Sequence, residues 1–66
     1  EISQQEYIAL DCHRIAKALL KQNRNLEEAI SLSRRAIEIF TRLRQRDNLQ
    51  ETQETLAEIE KALDKK

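Results

Sequence analysis

An all-α fold, a three-helix antiparallel bundle, is what this sequence predicts, and three observations carry the prediction. The 66 residues include no Gly, no Pro and no Val, and the only aromatics are Tyr7 and Phe40. Hairpin turns and sheet interiors draw on those missing residues, so β architectures are excluded at the start. The composition is instead rich in Ala, Leu, Glu, Gln, Lys and Arg, the strongest helix formers. Charge order is the third observation, because acids precede bases three times along the chain.

Helix one is predicted over residues 4–22. Ile8, Cys12, Ile15 and Leu19 follow the four-three-four step of one helical face, with Ala9, Ala16 and Leu20 beside it. Ser3 and Glu6 have the spacing of a capping box, and Ile2 and Tyr7 that of a hydrophobic staple. Glu1, Glu6 and Asp11 come before Arg14, Lys17, Lys21 and Arg24, the order a helix dipole favours.

Helix two is predicted over 26–45. Leu26, Ala29, Ile30, Ala36, Ile37, Phe40 and Leu43 make a stripe, widened by Leu32 and Ile39. This is the widest apolar arc of the three, so the middle helix should touch both others. Asn25 stands at the cap position with Glu28 three residues on, and the acids Glu27 and Glu28 precede a run of arginines. Helix three is predicted over 49–64 on a narrower stripe of Leu49, Leu56, Ile59 and Leu63. Asn48 is its expected cap, with Glu51 following, and acids again precede Lys61, Lys65 and Lys66. Connections of about three or four residues make neighbouring helices antiparallel. The whole chain, 1–66, is one domain, and because it opens on Glu1 it reads as a piece of a longer protein.

Composition also excludes function classes. Twelve basic and twelve acidic side chains give no net charge, whereas a general nucleic-acid binder or polybasic membrane anchor shows a surplus of Lys and Arg. The apolar runs are far too short for a bilayer span. One cysteine makes no internal disulfide, and with no signal-peptide pattern a cytoplasmic location is the expectation. Cys12 and His13 are the only thiol–imidazole pair, but adjacent residues on a helix point about 100° apart and cannot form a catalytic dyad. Cys12 therefore reads as a small core residue and His13 as a surface or groove residue. One Cys and one His offer no ligand spacing for a metal, and a chain without Gly has no phosphate-cradling loop. The expected protein is not an enzyme and carries no cofactor.

The segment from Ile15 to Phe40, IAKALLKQNRNLEEAISLSRRAIEIF, resembles a tetratricopeptide repeat. Ala16 matches the small residue of that family's first helix. Ala29 and Ala36 match the two small residues, seven apart, of the second, and Leu-Glu-Glu-Ala at 26–29 resembles its opening. AIEIFTRL followed by QETLAEI is similar to the longer repeat of kinesin light chains and bacterial signalling proteins. The likeness spans about one and a half repeats. Asn25 is an extra turn residue, Ser33 stands where an aromatic is typical, and Thr41 replaces a common closing Pro. The resemblance implies a peptide groove lined by the first helix, here Leu10, His13, Lys17, Leu20 and Lys21. Those residues would suit an acidic segment, a C-terminal carboxylate or a short helix.

Two further surfaces compete. Arg35, Arg42 and Arg46 are read as one face of helix two, either solvated and paired with the acids of helix three or an electrostatic footprint for an acidic partner or nucleic acid. Absent aromatics argue against single-stranded nucleic acid. The seam of Leu49, Leu56, Ile59 and Leu63 could pair with another copy. The leading expectation is a non-catalytic protein–protein interaction module. A self-associating structural bundle is the alternative, and nucleic-acid contact through the arginines is the weaker one.

Overall fold

A computed structural model describes residues 3–65 and contains three α-helices: α1 Gln4–Gln22, α2 Leu26–Leu43 and α3 Arg46–Asp64. Helix α2 packs along both α1 and α3, which touch each other much less. The fold is thus the predicted all-α three-helix bundle with the widest stripe at its centre.

The helix ends are closed without glycine. At the end of α1, Asn23 takes a left-handed conformation (φ 53°), its N–H donating to the Leu20 carbonyl at 3.1 Å and that of Arg24 to the Leu19 carbonyl at 3.2 Å. Arg44 does the same for α2 (φ 59°), donating to Thr41 at 3.1 Å while Gln45 donates to Phe40 at 3.0 Å. Both are Schellman closures, and asparagine tolerates the left-handed region better than arginine. The closure at Arg44 corrects two expected boundaries. Helix α2 stops at Leu43 rather than 45, and α3 begins at Arg46 rather than 49.

The caps divide similarly. The Ser3 hydroxyl accepts from the Glu6 N–H at 3.1 Å, as expected, while the staple partner Ile2 lies outside the described residues. Asn25 does precede α2, but its left-handed backbone (φ 51°) leaves its side chain without a cap hydrogen bond. Asn48 is not a cap at all. It sits in the first turn of α3 and donates through Nδ2 to Oε1 of Gln45, the residue that takes the cap position, at 2.9 Å. Acids occupy the first turn and bases the last turn of every helix, as the dipole argument requires.

Two clusters fill the interior. Ala9 and Cys12 of α1 meet Ala36, Ile39 and Phe40 of α2; farther along, Ala16 meets Leu26 and Ala29 of α2 and Ile59 of α3. Ala9, Ala16, Ala29 and Ala36 are all fully buried, so α1 and α2 approach across methyl groups. The α1 face is rotated from the expected one. Ile8 and Ile15, placed on the apolar stripe by spacing, lie on its exposed flank at 38% and 48% exposure, while Ala9, Cys12, His13 and Ala16 point inward. Close packing selects the small residues of the stripe for the interface and sets the large ones outside it. Ala29→Leu or Ala36→Leu is therefore expected to overpack this contact and cost about 1–3 kcal/mol in denaturant unfolding. Unchanged stability in either variant would place the α1–α2 contact elsewhere.

Candidate functional site

The predicted groove residues divide by burial. Lys17 and Lys21 are exposed on α1, Leu10 and Leu20 are half-buried against the core clusters, and His13 is buried at 8% exposure. The expectation that His13 lies on the surface is thus corrected, and the reason is α3. Thr55, on that helix, donates its hydroxyl to the Glu51 carbonyl at 3.1 Å and lies 3.0 Å from His13 Nε2. The hydroxyl oxygen thus sits between the Glu51 carbonyl and the imidazole, and the donor in the His13 contact follows the tautomer of the ring. The pair ties α1 to α3, two helices that otherwise touch little.

Beside this pair runs an open groove of about 400 Å³, lined by Arg14, Lys17, Ala18, Leu20 and Lys21 of α1 and by Thr55 and Glu58 of α3. One wall is basic. The other contributes Thr55 and Glu58, while Asp47, Gln50, Glu51 and Glu54 line a separate surface of the same helix. Read from α1 alone the groove is positive, whereas the folded chain sets Glu58 opposite the bases. Among the described residues the one ion pair is Arg42–Glu38 at 3.5 Å on α2, so the charges of the two groove walls are unpaired within 4.0 Å.

Burial pulls the His13 pKa below its ordinary 6.5, Lys17 pushes the same way, and Glu51 opposes them. A lowered pKa means that the unfolded chain binds the proton first, so this part of the stability is complete above pH 6.5 and is lost as pH falls toward the folded-state pKa. An NMR titration of His13 should give a midpoint below that of the denatured chain. Subtracting the stability profile of His13→Gln should isolate a loss in that window; identical profiles would remove the role assigned to His13.

The arginines do not form one face of one helix. Arg35 and Arg42 lie on α2, while Arg46 is the first residue of α3, across the Arg44 turn. Arg42 pairs with Glu38 on its own helix rather than with an acid of α3. The α3 seam is also largely used inside the molecule, with Ile59 fully buried and Leu49 and Leu63 packed on the two clusters. Cys12 lies in the core, as expected, and of the predicted groove residues Leu10 and His13 do not line the groove. Among the described residues no group of three His, Cys, Asp or Glu is placed to hold a metal, and no helix is long and apolar enough to cross a membrane.

No family model, curated protein or solved structure matches the chain. The reading of its function therefore rests on the geometry.

Proposed function

We propose that the chain is a non-catalytic protein–protein interaction module, a tetratricopeptide-like helical pair with a third helix, which docks a partner segment in the groove between α1 and α3. The observation that carries this reading is the groove itself. It joins an apolar strip at Ala18 and Leu20 to the unpaired charges of Arg14, Lys17, Lys21 and Glu58, the combination of apolar contact and charged rim used in recognition. The fully buried Ala16, Ala29 and Ala36 support the repeat-like packing of the first two helices. The partner is a short helix or extended segment whose acidic side faces Lys17 and Lys21.

Both lysines are exposed, so Lys17→Glu with Lys21→Glu should keep the chain helical and folded, at a cost of about 0.3–1 kcal/mol for reversing the Lys21 charge in the last turn of α1. Affinity capture from cell extract is expected to lose the partners held by the unaltered chain. An unchanged set of partners would move the binding surface away from this groove.

A further inference from the structure

We infer that the outer edge of α1 and α2, built on Ile8, Ile15, Arg35 and Arg42, is a docking surface for the acidic α3 of a second copy of this chain. Ile8 and Ile15 are seven residues apart and so share one side of α1, where they are 38% and 48% exposed. Ile8 lines a groove of about 230 Å³ with Gln5, Arg35, Glu38, Ile39 and Arg42. Scattered exposed isoleucines need no explanation, but Ile15 extends along the same side of α1 from Ile8, which lines the groove, and the two form a strip. Neither residue belongs to the packed clusters of the interior.

Charge selects the occupant. Glu38 is shared with Arg42 at 3.5 Å, while Arg35 has no ion-pair partner among the described residues, so the strip is basic at its rim. Two such edges brought together by a twofold axis would set arginine against arginine. The complementary surface is present elsewhere on the same chain. Between Arg46 and Asp64, α3 carries six acids and two bases, and Ala57, Glu58, Glu60, Lys61 and Asp64 line an open surface on it. Ala57 is the one apolar side chain of that surface. A contact between two different surfaces is head-to-tail, so association adds copies in a row or closes a ring. Arg35 and Arg42 on one copy and Glu60 and Asp64 on the other lie outside the α1–α3 groove, while Glu58 borders both surfaces.

The test is a charge exchange read by sedimentation. At low salt the 66-residue chain is expected to show a weight-average mass that rises from micromolar to submillimolar concentration and falls back when salt screens the contact. Arg35→Glu with Arg42→Glu, and separately Glu60→Lys with Asp64→Lys, should each weaken association about tenfold or more while circular dichroism stays unchanged. Mixing the two variants in equal amounts pairs reversed edge with reversed face and should restore association. A chain that stays monomeric at submillimolar concentration and low salt overturns the inference. So do variants that associate as the unaltered chain does, or a mixture that fails to recover. Lys17→Glu with Lys21→Glu should associate normally, which separates this contact from the groove.

Discussion

Phe40→Ala is expected to unfold most of the chain under conditions where the unaltered protein is folded. Phe40 is the largest fully buried side chain, and Tyr7, the other aromatic, is 57% exposed, so a single ring fills the first cluster. Removing such a ring costs about 3–5 kcal/mol, while a domain of this length has a total stability of roughly 3–10 kcal/mol. Ile39 and the half-buried Leu10, Leu32, Leu43 and Leu49 pack on this cluster, so the cost depends on how far they can move in. Among the fully buried neighbours are Ala9 and Ala36, which have no rotamer that could swing into the space. Phe40→Leu keeps part of the volume and should recover much of the loss. Denaturant unfolding of both variants checks the assignment; a loss below about 1 kcal/mol for Phe40→Ala would mean that the ring is not the centre of the cluster.

The helices were legible because apolar spacing and charge order coincide on each of them. Spacing, charge order and cap residues all place α1, and its predicted span agrees with the structure at both ends. The α2–α3 turn was misplaced because its chemistry is unusual for its residues. An arginine in the left-handed region and a glutamine at a helix start carry no strong sequence signal, and Asn48, a favourable cap by type, drew the expected boundary three residues too far along. The rotation of α1 was hidden for a different reason. Periodicity marks a stripe but does not say which part of it faces a neighbour at short range, and here the alanines took that position from Ile8 and Ile15.

The groove was half legible. Lys17, Leu20 and Lys21 were named from the first helix, and they do line it. The opposite wall was missed, since Glu58 and Thr55 matter only once α3 is folded back against α1. Thr52 and Thr55 were missed as core residues because their hydroxyls look polar in sequence, yet each donates to a carbonyl one turn back, Thr52 to Asn48 at 2.7 Å and Thr55 to Glu51 at 3.1 Å. A threonine satisfied in this way presents its methyl to the interior. The signal that could have found them is position: residues 52, 55 and 59 step by three and four along one line of the helix. Ser33 is the exception, a fully buried hydroxyl with no partner on the α2 stripe between Ala29 and Ala36. Its small size suits the close approach of the helices there, at the expense of an unmade hydrogen bond.

Because threonines make up the rest of its most deeply buried positions, α3 is held by few large apolar side chains, and Ile59→Ala is expected to release it. Ile59 is the one fully buried large hydrophobic of that helix, set against Ala16, Leu26 and Ala29. Leu49, Leu56 and Leu63 are only half-buried and cannot replace it. Truncation should cost about 2–5 kcal/mol, and the loss should fall first on α3, which packs mainly on α2. Amide hydrogen exchange distinguishes the outcomes. Protection is expected to fall most along Arg46–Asp64 and less in α1 and α2. Equal loss in all three helices would mean that α3 is not a separable unit, and unchanged protection would mean that Ile59 does not anchor it. Binding should follow the same order, because Thr55 and Glu58 sit on α3 and supply one wall of the groove. Partner capture should therefore decline in step with α3 protection, even in solutions where the α1–α2 pair is still helical.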